Sequence, residues 1–153
     1  MNNNWFKCRI RYEKTMENGM NKKVNEDYLV DALSFTEAEA RIIEQMAPFI
    51  TGEYSVQDIS RASYSEVFTS SDENKDKWYR IIVAFITLDE KSGKEKKRKV
   101  NMLVQSCSTN DAEKDLHEAM KGTMVDYVIV EVKETALMDV FFYAPEKETD
   151  ETR

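Results

Sequence analysis

Apolar and polar side chains alternate along two stretches of the chain, with the period of a half-buried β-strand. In the first stretch the apolar positions are Phe6, Cys8, Ile10 and Tyr12. In the second stretch they are Tyr79, Ile81, Val83 and Phe85, and the positions between them are Ile82, Ala84 and Ile86. Because the second stretch is apolar on both faces, we expect its strand to be covered on both sides.

Each of these strands is followed by a dipeptide that ends in glycine, Asn18-Gly19 or Ser92-Gly93. Glycine supplies the positive φ of a hairpin turn, so a second strand should return beside the first. A third strand is predicted from Tyr54 to about Arg61, and again from Tyr127 to about Lys133.

Short apolar segments at 65–68 and 139–143 come next, and each either extends the third strand or forms a fourth. In the first half the alternation slips near Gln57-Asp58, which indicates a β-bulge. Whether the strands form one continuous sheet or two packed sheets is left open by the pattern.

One helix is predicted between the second and third strands of each half. Thr36 with Glu39, and Asn110 with Glu113, have the spacing of an N-terminal capping box or its Asn analogue. Apolar residues at helical spacing form one stripe on each helix: Ala38, Ile42 and Met46, then Ala112, Leu116, Ala119 and Met120.

The two halves resemble each other in sequence, which indicates an internal duplication. Trp5 and Trp78 open the two copies at an offset of 73, and from Gly19 to Met46 an offset of 74 gives 10 identities in 28 positions.

The predicted fold is therefore α+β: a tandem ββαβ(β) repeat with an antiparallel sheet and two helices. We expect repeats at 5–68 and 78–143, a linker at 69–77, and a mobile acidic tail at 144–153. One hairpin with one helix buries too little apolar surface to be stable alone. We therefore expect both copies to share one compact, pseudo-two-fold domain.

Charge and composition limit the function. The formal net charge of −7 argues against tight, nonspecific binding to duplex nucleic acid. No apolar run approaches the ~18 residues that span a bilayer, so no membrane association is predicted. Two cysteines, Cys8 and Cys107, cannot form a disulfide framework, which favours the cytoplasm.

Few residues suggest chemistry. His117 is the single histidine, and no nucleophile signature surrounds it. Cys8, Cys107 and His117 cannot complete a four-ligand zinc site, and four glycines leave no phosphate-binding loop. We predict no catalytic activity, no metal and no cofactor.

The most specific binding signal is an aromatic and basic strand face, in which Trp5 precedes Lys7, Arg9 and Arg11 at alternate positions. Trp78 and Arg80 repeat its start, and a basic hairpin adds Lys96, Lys97, Arg98 and Lys99. Two functions remain open. One is a binding or assembly module that self-associates or pairs with an unknown protein partner through free strand edges. The other is a single-stranded nucleic-acid binder that uses the aromatic and basic face.

Four segments of the chain are similar to those of a known protein family: 28–41, 85–94, 120–124 and 134–141. Together they resemble a bacterial domain-of-unknown-function family, number four-four-nine-four, of anaerobic gut bacteria and their phages or mobile elements. The resemblance extends from Trp5 to Phe141. It implies a cytoplasmic bacterial or phage protein and brings no activity, cofactor or catalytic residue.

Overall fold

Eight strands and two helices lie along residues 4–143, the part of the chain that the computed structural model describes. In chain order they are β1 (Trp5–Thr15), β2 (Asn21–Asp31), α1 (Phe35–Met46), β3 (Tyr54–Ala62), β4 (Glu66–Phe68), β5 (Lys77–Leu88), β6 (Glu95–Ser106), α2 (Thr109–Ala119), β7 (Asp126–Glu134) and β8 (Leu137–Phe141). The predicted α+β class is confirmed. The predicted mobile tail, 144–153, lies outside the described residues.

One long hairpin forms the centre of each half. β1 pairs antiparallel with β2, and β5 pairs antiparallel with β6. Gly19 has φ +83° and Gly93 has φ +73°, a region that side chains with a Cβ rarely adopt. The hairpin turns predicted from these glycines are confirmed.

The strands form two four-stranded sheets, in the orders β3-β1-β2-β8 and β4-β6-β5-β7. Three strands of each sheet are antiparallel, but β8 runs parallel to β2, and β4 runs parallel to β6. The prediction of an antiparallel sheet was therefore wrong, and both sheets are mixed. Side-chain alternation could not reveal this, because it identifies a strand's faces but not its neighbour or direction.

The two fourth strands are exchanged between the halves of the chain. β4 follows β3 but pairs with β6, whereas β8 follows β7 but pairs with β2. The described chain accordingly divides into two compact units. Unit 1 contains the residues up to Ser63 and those from Ala136 onward, and unit 2 is Tyr64–Thr135. The duplication, the repeat boundaries and the grouping into one domain stay predictions.

A β-bulge interrupts the outer antiparallel pair of each sheet. Arg9 faces Asp58 while Ile10 faces Val56, so Gln57 is the extra residue and the predicted bulge is confirmed. In the other sheet the register shifts between Ile82 and Val83, where Val130 is the extra residue. The second bulge was not predicted, because an apolar residue inside an apolar strand leaves the pattern unbroken.

The N-cap residue of each helix lies two residues before the predicted one. Ser34 caps α1, and its side chain accepts a hydrogen bond from the backbone N–H of Glu37 at 3.1 Å. Ser108 caps α2 in the same way, with the N–H of Asp111 at 3.1 Å. The Thr36 and Asn110 caps were therefore wrong, because two serines at equivalent positions already satisfy these N–H groups.

Each unit has its own cluster of buried side chains between its helix and its sheet. Unit 1 buries Phe6, Cys8, Ile10, Val30, Ala32, Ala38, Ile42 and Met46. Unit 2 buries Tyr79, Ile81, Val83, Met102, Val104, Ala112, Leu116 and Met120. The predicted helix stripes are confirmed except at Ala119, which is exposed. Ala84, on the other face of β5, is also buried.

Candidate binding surfaces

The basic side chains of β1 project from the face of the sheet opposite the core cluster. Lys7, Arg9 and Arg11 are exposed there, as their alternation predicts. Arg9 lies between Asp27 on β2 and Asp58 on β3. Its guanidinium donates to both carboxylate oxygens of Asp27, at 2.9 Å and 3.3 Å. The hydrogen bond raises the pKa of Arg9, and the aspartates neutralise the centre of this face.

The two tryptophans are buried. Trp5 is 4% exposed and packs edge-on against Phe142, with ring centroids 5.1 Å apart. Trp78 is 3% exposed, and its backbone carbonyl accepts hydrogen bonds from the N–H and the hydroxyl of Thr135. Neither indole is open to a nucleobase. Arg80, which follows at the next outward position, pairs with Glu131 at 3.3 Å.

The basic hairpin residues lie on the β6 end that is far from β4. β4 pairs with β6 only at residues 102–104, and the backbone N–H of Ser65 donates to the carbonyl of Asn101 at 2.8 Å. From Glu95 to Val100, β6 therefore pairs on one side only among the described strands. We call this segment the basic edge.

The cations of the basic edge are exposed on both faces of the sheet. Lys97 and Lys99 lie across from Ile86 and Ala84, and Lys96 and Arg98 lie across from Thr87 and Phe85. Lys96 approaches Asp89 at 3.8 Å, and the guanidinium carbon of Arg98 lies 5.6 Å from the ring centre of Phe85. Within residues 4–143, no carboxylate lies within salt-bridge distance of Lys97 or Lys99.

β7 forms a second open edge in unit 2, at the opposite side of the same sheet. It pairs with β5 alone among the described strands. Val128 is 43% exposed and Val130 is 48% exposed, which is unusual for apolar side chains on an unprotected edge. The equivalent strand of unit 1, β3, has Ser55 and Gln57 at these two positions. Sequence reasoning missed this surface, although the run of three apolar residues from 128 to 130 was visible.

One comparison with known proteins decides the family. The family described as a domain of unknown function (DUF4494) matches residues 4–143, nearly the whole chain. The chain belongs to the DUF4494 family. The resemblance noted in the sequence is thereby confirmed. Among curated proteins, none matches the DUF4494 chain.

Reactive groups of the DUF4494 chain are held in structural contacts. The Nδ1 atom of His117 lies 2.6 Å from the hydroxyl of Tyr127, which joins α2 to β7. Burial raises the pKa of Cys8 to about 12, so its thiol stays protonated at neutral pH. Cys107 donates to Asp111 at 2.9 Å, and this hydrogen bond raises the pKa of the thiol. Within residues 4–143, His, Cys, Asp and Glu side chains do not gather into a metal-binding group.

A polar network on unit 2 was also missed by sequence reasoning. Both carboxylate oxygens of Asp115 accept from the ammonium of Lys75, at 2.9 Å and 3.0 Å, and one also accepts from the buried hydroxyl of Ser106 at 2.8 Å. The network fixes the segment that follows β4 against α2. Its members are scattered over 40 positions of sequence, which no local motif connects.

Neither helix in the described range is both long enough and apolar enough to span a bilayer.

Proposed function

We propose that the DUF4494 chain is a non-catalytic assembly module that joins a second copy of itself along β7. The observation that supports this most directly is the open edge with the half-exposed Val128 and Val130. An unpaired strand offers a row of backbone N–H and C=O groups, and an exposed β-branched face adds apolar contact. Closed two-fold symmetry is the commonest arrangement for two identical chains.

The charges of β7 suit an antiparallel pairing with the same strand. Outward-facing residues must face each other across the new junction, and the bulge at Val130 fixes which ones can. In the register that places Asp126 opposite Lys133 of the second copy, Val128 lies opposite Glu131. Two-fold symmetry then gives two Asp126–Lys133 pairs, and no like charges oppose one another.

The nucleic-acid alternative loses its main support because Trp5 and Trp78 are buried. Base stacking on exposed aromatic rings is what lets a sheet hold single strands without reading sequence. We therefore retain nucleic-acid binding as an experimental outcome rather than as a second proposal. The family resemblance supports a bacterial or phage origin, and the free thiols of Cys8 and Cys107 support the cytoplasm as its location.

The experiment compares two edge variants by sedimentation velocity across a concentration series. Val128→Lys/Val130→Lys places two charges on β7, and Ser55→Lys/Gln57→Lys places the same charges at the equivalent positions of β3. We expect the wild-type chain and the β3 variant to dimerise and the β7 variant to remain monomeric, because lysines on an edge block strand addition. A wild-type chain that stays monomeric throughout would overturn the proposal.

A charge exchange tests the register. Asp126→Lys alone and Lys133→Asp alone each put like charges opposite one another across the junction, so both should weaken dimerisation. The double variant restores opposite charges and should recover it. Dimerisation that ignores all three variants would show that another surface makes the contact.

A further inference from the structure

We infer that the basic edge, Glu95–Val100 of β6, binds an acidic peptide segment of a partner protein by strand addition. This surface is separate from β7, since the two strands lie on opposite sides of β5. The basic edge pairs on one side only among the described strands, so its free backbone groups can pair with an added strand. The proposal does not depend on dimerisation.

The positive charge of the basic edge favours an acidic peptide. Four consecutive residues, Lys96 to Lys99, are cationic and exposed, and among residues 4–143 only the carboxylate of Asp89 lies within salt-bridge distance of any of them, 3.8 Å from the ammonium of Lys96. Because side chains alternate between the faces, a strand laid beside β6 would meet cations on both of its faces. Glutamates or aspartates along the added strand would therefore find opposite charges wherever they point.

Two other binding partners, a second copy of the chain and a nucleic acid, fit the basic edge less well. A second copy pairing through its own basic edge would place lysine opposite lysine or arginine, which is destabilising. A nucleic acid would be attracted by charge, but the ring of Phe85, which lies across from Arg98 on β5, has the Arg98 guanidinium over it at 5.6 Å. Backbone pairing also needs N–H and C=O groups that a phosphodiester chain does not supply.

The length of the edge sets the length of the peptide. Asn101 closes the edge at one end, because its carbonyl accepts a hydrogen bond from Ser65. The hairpin turn closes the other end, where Gly93 donates its N–H to the carbonyl of Asp89 at 2.7 Å. Six residues at about 3.3 Å each fit an extended segment of about 20 Å.

The experiment uses the full chain and a labelled peptide of alternating glutamate and valine, followed by fluorescence anisotropy. A matched peptide carries proline at two central valine positions, since proline cannot donate a backbone hydrogen bond. Lys96→Glu/Lys97→Glu alters the basic edge. Lys22→Glu/Lys23→Glu makes the same charge change at the equivalent hairpin of unit 1.

We expect the wild-type chain to bind the unbroken peptide and to bind the proline peptide at least about tenfold more weakly. The basic-edge variant should lose about tenfold in affinity, while the unit 1 variant keeps wild-type affinity. Equal loss in both variants, or equal binding of both peptides, would reduce the effect to general charge attraction and overturn the proposal.

Two further measurements test whether a nucleic acid or a second copy of the chain binds the basic edge instead of the peptide. A single-stranded oligonucleotide that binds more tightly than the peptide, and is lost in the basic-edge variant, would assign this surface to nucleic acid and overturn the proposal. A Lys96→Glu/Lys97→Glu chain that no longer sediments as a dimer would assign it to self-association, with the same consequence. Because Val128→Lys/Val130→Lys leaves the basic edge intact, this variant should bind the peptide even if β7 proves to have no role in assembly.

Discussion

Unit 1 and unit 2 place their strands in the same order but differ at the outer antiparallel edge. Read from that edge, the orders are β3-β1-β2-β8 and β7-β5-β6-β4, and a bulge lies in the outer strand of each. The bulge residue is Gln57 in unit 1 and Val130 in unit 2. The same strand order thus has a polar outer strand, β3, in unit 1 and an apolar outer strand, β7, in unit 2, and of these two outer strands β7 is the one that favours strand addition.

In each unit a charged residue of the helix holds the segment that follows the parallel strand, β8 in unit 1 and β4 in unit 2. The charge of this residue is opposite in the two units. In unit 1 the guanidinium of Arg41 lies 4.1 Å from the ring centre of Tyr143 and also donates to the backbone carbonyl of Asp31. In unit 2 the carboxylate of Asp115 binds Lys75 and Ser106. Arg41 and Asp115 occupy equivalent positions at the offset of 74. The position of the helix residue that holds this segment is therefore the same in both units, while its charge is reversed.

The largest expected effect comes from the helix residues at the centre of each core. Ile42→Ala in unit 1 and Leu116→Ala in unit 2 truncate fully buried side chains at equivalent positions. Each should lower the free energy of unfolding by about 2–5 kcal/mol, because a cavity remains. Urea unfolding is followed by tryptophan fluorescence in chains from which the other tryptophan has been removed. Trp5 then reports on unit 1 and Trp78 reports on unit 2. A loss below about 1 kcal/mol at either site would break the equivalence of the two cores.

Removing the charged helix residues Asp115 and Arg41 should lower the stability by an intermediate amount. Asp115→Ala leaves the buried hydroxyl of Ser106 and the ammonium of Lys75 without their acceptor, at a cost of about 1–3 kcal/mol. Adding Ser106→Ala should recover part of the loss, because it removes a buried donor that lacks a partner. Thermal unfolding of the single and double variants measures this. A double variant less stable than Asp115→Ala would contradict the assignment. Arg41→Ala is the matched change in unit 1.

The smallest effect at neutral pH concerns Cys8, which unit 2 replaces with Ile81 at the offset of 73. Its thiol pKa rises from 9.0 to about 12 because the site is buried. A raised folded-state pKa stabilises the fold below the unfolded pKa, and this contribution is lost as the pH rises from about 9 towards 12. Urea midpoints of the wild-type chain should therefore fall more steeply above pH 9 than those of Cys8→Val. Identical slopes would show that the thiol does not titrate with unfolding.

Local patterns predicted most of the framework. Alternation at Phe6, Cys8 and Ile10 identified a half-buried strand, and glycines with positive φ marked both turns, because these signals arise between neighbours in sequence. The candidate site was predicted less well. The outward direction of Lys7, Arg9 and Arg11 followed from the same alternation, but the burial of Trp5 depends on Phe142, more than 130 positions away.

The sequence by itself determined which residues form strands and helices, which face of each is apolar, and where the chain turns, because side-chain period and glycine conformation act over a few residues. Only the tertiary structure decided that β4 and β8 are exchanged and parallel, that both tryptophans are buried, and that two edges of unit 2 stay open. These features depend on which strands become neighbours, and backbone hydrogen bonds pair any two strands without regard to their side chains.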